Sequence, residues 1–498
     1  MGDCSCAGRN RPVKSLKGFR VQSWLQSSQI VLLVILGNFP SHHDLDINAG
    51  FALSQFLALA STIYGYFDNP EGLHSRQISP GQLSNAYDYI VVGGGQSGLV
   101  KPTVSAKIQS VRLGHQYRET VLIVEYGYFD DSPAQLEPSS ATQYLAKNLF
   151  NATSIAQPGL GNKQGTVYAA SVVGGGSTVN GMLFDRGSAD DYNNWEKLGN
   201  PGWGFSSLLP YFKKSATFTP PRADLAVEYN ITWDIPSAWG NGPVQATFPD
   251  WQWPTIKTQW SAWTDVGVPI NAEGAAGNAF GAYWVPSNTD QNYRRSYARN
   301  AYFDPAKNRS NLKLLVGYRV NEVLFTSNKR ADSVKIQARG TANGAATITV
   351  KAAQEIILFC NAAELVRVPQ AGIPVLVDLP GVGSNLQDHP AVGINYQSSL
   401  YNNATFQAWA AQQWTLRKGP SSVGVGNALA TVPFPILSPP YRTTIDKTNA
   451  QNAATYLPKT YGADNIKGFV AQRAVILDSF ARNDNGVVEI PFSGGGST

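Results

Sequence analysis

Cysteine and histidine are scarce in this 498-residue chain, and each shortage excludes some chemistry. Of the three cysteines, Cys4 and Cys6 sit near the N-terminus, so a chain processed beyond them keeps only Cys360 and forms no internal disulfide. The five histidines are His42, His43, His74, His115 and His389, a short list for acid–base work near neutral pH. No metal site is expected. Strong charge is also lacking. The net charge is +5, of which Arg9, Arg11, Lys14, Lys17 and Arg20, set against Asp3, Asp44 and Asp46, account for +2. The remaining +3 is too near neutral for a nucleic-acid binder, which needs a clustered basic face. Long apolar runs are missing as well: Ile30 to Leu36 is too short to cross a bilayer, so no stable membrane span is expected. There is no internal repeat and no long low-complexity tract.

What is present begins with length. A chain of 498 residues with 43% hydrophobic residues has room for two to four domains and for large cores. Residues 1–60 read as a leader. Phe51 to Ala60 is apolar, and Ala58-x-Ala60 before Ser61 fits a signal-peptidase site, at unusual depth for one. Secretion is the expectation that follows, with an intracellular pathway enzyme as the alternative. The sequons at Asn151, Asn230, Asn308 and Asn403 are compatible with it, although a chain rich in Asn, Ser and Thr has about that many by chance. Residues 61–85 read as a linker.

Two glycine turns carry the chemistry. Tyr89 to Val92 is a short β-branched and aromatic run that reads as a buried parallel strand. It leads into Gly93, Gly95 and Gly98, spaced G-x-G-x-x-G. In this pattern the first glycine makes the turn, the second lets the backbone meet a pyrophosphate, and the third allows close helix packing. A helix starting near Ser97 offers its N-terminus to the phosphates. A second strand, Val121 to Val124, ends on Glu125, where a carboxylate suits a ribose. The interval is longer than the usual separation of about 20 residues: 125 − 98 = 27 positions, with Pro102 interrupting the expected crossover helix. The second turn is Val173 to Met182, V-G-G-G-S-T-V-N-G-M, where small residues allow close backbone approach and Asn180 offers an amide. One ligand gripped at both turns points to a long dinucleotide.

These segments have company: F-D-R-G-S-A-D-D-Y-N-N-W from Phe184, L-G-N-P-G-W-G-F from Leu198, and D-L-P-G-V-G-S-N-L-Q-D-H from Asp378 to His389. Together they closely resemble the glucose-methanol-choline oxidoreductases, fungal members especially, from about Ala86 onward. The resemblance implies an α/β fold, with an FAD-binding Rossmann-like parallel-sheet domain and a second α+β substrate domain on an antiparallel sheet. The expected division is 86–210 with 311–390 for FAD, and 211–310 with 391–498 for substrate. It further implies hydride transfer from an alcohol to FAD, with oxygen or another acceptor taking the electrons. Gly93, Gly95 and Gly98 would cradle the pyrophosphate, and Glu125 the adenosine ribose. Gly175, Gly176, Ser177 and Asn180 would line the flavin side, and Val320 would fall at the adenine-contacting backbone. Asn385, Leu386 and Asp388 would lie in a loop near the cofactor.

The chain also departs from the family pattern. After Glu355 to Leu358 the expected small-residue turn, S-P-Q and apolar helix are replaced up to Gln370, which would uncover part of the sheet. The family places its catalytic histidine in a C-terminal segment that this sequence does not reach. His389, in L-Q-D-H-P, matches a structural loop instead. The catalytic base is therefore unassigned, and impaired alcohol oxidation is the expectation. The alternatives are a non-redox lyase or cyclase with a structural flavin, or an inactive remnant from misread splice sites.

Nine of the twelve tryptophans lie between Trp195 and Trp284. That stretch reads as irregular strands and loops around an aromatic cavity, with Trp251, Trp253, Trp260 and Trp263 as substrate walls or as ordinary core. Leu312 to Phe325, Val334 to Ala338 and Ala346 to Val350 read as strands of a small meander.

Overall fold

In the computed structural model, the two apolar runs become adjacent parallel strands, β1 (Ala86–Val92) and β2 (Val121–Glu125). The structure describes residues 77–100, 119–141, 143–157, 161–306, 309–359, 381, 384–385, 403–455, 457–459 and 461–492. The leader, Pro102, Asn308, Leu386, Asp388 and every cysteine and histidine lie outside these residues. The remaining strands are β3 (Leu149–Thr153), β4 (Thr166–Ala170), β5 (Ala216–Thr219), β6 (Val244–Thr247) and β7 (Gly281–Trp284). They continue with β8 (Leu312–Val316), β9 (Tyr318–Phe325), β10 (Ala331–Ala338), β11 (Ile348–Leu358), β12 (Ala428–Pro433) and β13 (Gly486–Phe492).

The main sheet has the order β8-β2-β1-β11-β10-β9. It is parallel from β8 to β11 and antiparallel from β11 to β9. The two-residue period of a strand sorts its core. Ile90, Leu122 and Val124 pack on one face with Val334, Ile336 and Val350, whereas Val91, Val121 and Ile123 pack on the other with Leu99, Val173 and Phe303. Both faces are covered, so β2 is buried along all five residues. Gln77 bridges to Leu314, and Ile78 is buried there, so the end of the 61–85 segment is packed on the sheet edge.

The meander differs from the sequence reading in two places. Leu312 to Phe325 is two strands. Gly317, at φ 72°, breaks the run, so that β8 pairs with β2 while β9 turns away to pair with β10. Ala346 to Val350 opens a longer strand, β11, whose first half pairs antiparallel with β10 and whose second half runs parallel beside β1.

The second sheet, β13-β12-β7, is antiparallel, with β5 and β6 paired nearby in sequence. Its core gathers Phe218, Trp239, Phe248, Ile256, Trp284 and Val432. The Trp195 to Trp284 stretch is more regular than its prolines suggested: it contains helices at Ala189–Lys197, Phe205–Ser215, Ala223–Tyr229 and Ile256–Asp265. Local caps explain two of them. Ser188 and Asp191 form a capping box at one start, and Asn230 closes another end in the left-handed conformation at φ 51°.

Candidate functional site: three turns at the end of the parallel strands

Beyond Val92 the chain turns at Gly93, whose N–H donates to the Val124 carbonyl at 2.8 Å. Helical backbone begins at Gln96. The third glycine of the motif is obligatory, since a Cβ on Gly98 would fall 1.8 Å from the Gly93 carbonyl oxygen. The second has a different neighbour. A Cβ on Gly175 would lie 2.7 Å from the Cα of Gly95, and the Gly174 N–H donates to the Gly94 carbonyl at 2.9 Å. The two glycine turns, about eighty residues apart in sequence, are thus pressed backbone to backbone.

Glu125 closes the third side. Its two carboxylate oxygens accept the N–H groups of Gly94 and Gly127, each at 2.6 Å. Burial pushes its pKa above the usual carboxylate range, opposed by those two donors and by the Arg339 guanidinium. Each oxygen keeps acceptor capacity after one bond, so the carboxylate can shape the turn and still receive a hydroxyl. The same segment is sewn to the second turn through Val173, whose N–H donates to the Tyr128 carbonyl at 3.0 Å.

On the second turn the hydroxyls face inward. Ser177 Oγ donates to the Gly174 carbonyl at 2.6 Å and accepts the Ala298 N–H at 3.2 Å. Thr178 Oγ1 donates to the Val173 carbonyl at 2.9 Å. Gly176 and Asn180 are the exposed members of the loop. Asn180 Oδ1 accepts from Arg295 Nη1 at 2.6 Å and from the Met182 N–H at 3.2 Å. The structure therefore brings Gly93, Gly95, Gly98, Glu125, Gly175, Gly176, Ser177 and Asn180 into one connected set of turns.

Two further candidate residues lie outside this set. The Val320 side chain is half-buried and packs against the core on one face of the main sheet, and the contact expected of this residue is through its backbone. Asn385, in the left-handed region at φ 61°, donates its N–H to the Tyr461 hydroxyl at 2.6 Å and is tied to the C-terminal part of the chain.

Other residues gained roles that the sequence did not mark. Arg186, in the F-D-R-G segment, is buried, donates to the carbonyls of Ala238 and Ala275, and lies 4.7 Å from the ring of Trp239. Its neighbour Asp185 is pushed up to about 7 by burial. Arg295 is buried behind Asn180. Its only cue was the pair Arg294–Arg295, in which Arg294 is exposed. The tryptophans divide. Trp260 stacks on Trp284 at 4.8 Å, and Trp260 and Trp263 pack against the second core. Trp251, Trp253, Phe406 and Trp409 instead form a chain of ring contacts reaching helix Ala404–Thr415.

A parallel sheet with glycine turns and an acidic strand end at the carboxyl ends of its strands defines a dinucleotide-binding type of site. The chain belongs to the GMC oxidoreductase family, whose model matches residues 87–391. Among solved structures, an FAD-dependent oxidoreductase from Chaetomium thermophilum is 34% identical with a TM-score of 0.73, covering 82% of this chain and 73% of that one. A fungal aryl-alcohol oxidase has a TM-score of 0.69 at 29% identity, with the same coverage. The dehydrogenase xptC of Emericella nidulans is 31% identical over 80% of this chain, and the chain spans 66% of that relative, just under two thirds. Members of this family are flavin-dependent alcohol oxidoreductases, and FAD is the cofactor of this fold. No helix among the described residues is long and apolar enough to cross a membrane.

Proposed function

We propose that this chain binds FAD across the three turns and serves the oxidation of a small-molecule alcohol at its CH–OH carbon. The observation that carries this reading is the contact of Gly95 with Gly175 beside Glu125. It creates a side-chain-free seam flanked by N–H groups and a carboxylate, and it fits an extended dinucleotide with its phosphates at the first turn and its ribose at the acid. Bound FAD supplies the two-electron acceptor for the hydride that leaves the alcohol carbon. In this reading Gly93, Gly95 and Gly98 hold the pyrophosphate and Glu125 the ribose hydroxyls. Gly175, Gly176, the Ser177 backbone and Asn180 border the flavin, while Val320 through its backbone and the loop of Asn385 complete the enclosure.

The hydroxyl proton must go to a base, and the described residues contain no histidine, so the described geometry assigns none. The electrons pass on to oxygen or to another acceptor. The aryl-alcohol oxidase supports an alcohol as donor, and the xptC dehydrogenase supports a route to acceptors other than oxygen. The test is anaerobic mixing of the yellow, purified protein with a panel of primary alcohols. Bleaching of the flavin absorbance is expected, and it should be slow if the impairment expected from the unassigned base holds. Yellow protein that consumes an alcohol-bearing substrate without bleaching would replace this reading with a non-redox one. Export from the cell belongs to the same proposal and rests on Ala58-x-Ala60. Secreted material beginning near Ser61 is expected, and retention of the whole chain inside the cell would count against it.

A further inference from the structure

Arg295 is among the most deeply enclosed charges in the described residues, at 1% exposure. Its Nε donates to the Gln135 carbonyl at 2.6 Å, and its Nη1 donates both to the Ser177 carbonyl at 3.2 Å and to Asn180 Oδ1 at 2.6 Å. Its backbone is fixed as well: the N–H donates to the Leu136 carbonyl at 2.8 Å, and the carbonyl accepts from Asn300 Nδ2 at 2.9 Å. Among the described residues no carboxylate forms an ion pair with it. Burial lowers its pKa to about 10, which leaves it cationic at neutral pH. A buried cation held only by neutral oxygens is costly, and its placement calls for a reason beyond packing.

The reason lies in what it does to Asn180. An amide side chain normally presents an acceptor or a donor by turning over. Here Oδ1 already accepts two hydrogen bonds, from Arg295 and from the Met182 N–H. Turning the amide over would set its NH₂ against a guanidinium and an N–H, three donors together. Asn180 is exposed, so what its side chain has left to offer a ligand is donors alone.

We propose that Arg295 is a positioning residue that locks Asn180 with its Nδ2 donors facing the site, so that the loop selects a ligand edge rich in acceptors, such as the carbonyl oxygens and unprotonated nitrogens of a flavin ring. This rests on the reading of Gly175 to Asn180 as the flavin-facing loop. A fixed donor at that edge also favours added electron density on the ring and raises its reduction potential.

The test is a cycle of Asn180→Ala, Arg295→Met and the double variant, each stripped of flavin and titrated with FAD by fluorescence, then measured for flavin midpoint potential. Each single change is expected to weaken FAD binding roughly tenfold, the equivalent of one hydrogen bond, and to lower the potential. The double variant should be no worse than Asn180→Ala alone, because Arg295 acts through that amide. Asn180→Asp is the second arm and does not require removal of the buried cation. Its carboxylate keeps the bond from Arg295 but has no donor to offer, so affinity and potential should fall as with Asn180→Ala. Additive losses in the cycle, or an Asn180→Asp protein that matches the unmodified chain, would overturn the inference while leaving the cofactor reading intact. Failure of the unmodified chain to take up FAD overturns the cofactor reading and this inference with it.

Discussion

Gly98 shows how completely a single residue can be dictated by its surroundings. With a Cβ position 1.8 Å from the Gly93 carbonyl oxygen, even alanine forces the helix away from the strand. Gly98→Ala is therefore expected to cost more than about 2 kcal/mol of stability and to abolish FAD uptake, read by thermal melting and flavin absorbance. Glu125 plays a double part. Glu125→Ala orphans the N–H groups of Gly94 and Gly127, each worth roughly 1–3 kcal/mol when left unpaired, so a lowered melting temperature should accompany weaker FAD binding. If FAD affinity fell while melting stayed unchanged, the shaping role would be wrong. Asp185 is a pH-dependent liability. Its folded pKa, about 7, lies above the ordinary carboxylate value of 3.8, so folding is favoured with the group protonated. That contribution is present at low pH and is lost as pH rises from about 4 to about 7, at no more than about 1.4 kcal/mol per unit. Asp185→Asn should flatten this part of the stability profile. An unchanged slope in the variant would show that the loss comes from elsewhere.

At the scale of elements, the strand–turn–helix of β1 and the apolar β2 were legible because their residues answer to local rules, namely glycine spacing and unbroken β-branched runs. The two glycine turns pointed to one ligand gripped at both, but the packing of Gly95 on Gly175 is long-range and no spacing encodes it. Other features were hidden for physical reasons. The split at Gly317 depends on which neighbour each half-strand finds, and two of the four helices in and beside the Trp195 to Trp284 stretch are bounded by caps at Ser188 and Asn230 against a background of prolines. Arg295 could not be told from Arg294, because burial is decided by elements distant in sequence. One such tie leads to a prediction. Asp190 pairs with Lys197 at 3.3 Å and Arg482 at 3.2 Å and bonds the Ser479 hydroxyl, joining helix Ala189–Lys197 to the end of helix Ala463–Phe480. Asp190→Ala should loosen that end and speed limited proteolysis near Arg482, without changing FAD affinity. Unchanged cleavage would show that the helix is held without Asp190, by its apolar contacts and by ties such as Asn194 Nδ2 to Ser479 Oγ at 2.9 Å.

For the molecule as a whole, the proposed cofactor seam lies at the carboxyl ends of the parallel strands of a sheet buried on both faces, with a second, antiparallel sheet built from β7, β12 and β13. Family membership and the cofactor follow from the fold and its relatives, while the particular alcohol and the electron acceptor depend on surfaces that glycine turns do not specify. A ligand that binds only the folded chain stabilises it by about 2.7 kcal/mol at a hundred times its Kd, so FAD should raise the melting temperature with the logarithm of its concentration. The most direct measurement is FAD content and FAD-dependent melting of the purified chain beside Gly175→Val, whose side chain would be driven into Gly95. The account predicts one FAD per unmodified chain, a rise in melting temperature on adding FAD, and neither in the variant. An unmodified chain that neither carries nor responds to FAD, or a Gly175→Val protein that binds it equally well, would contradict it.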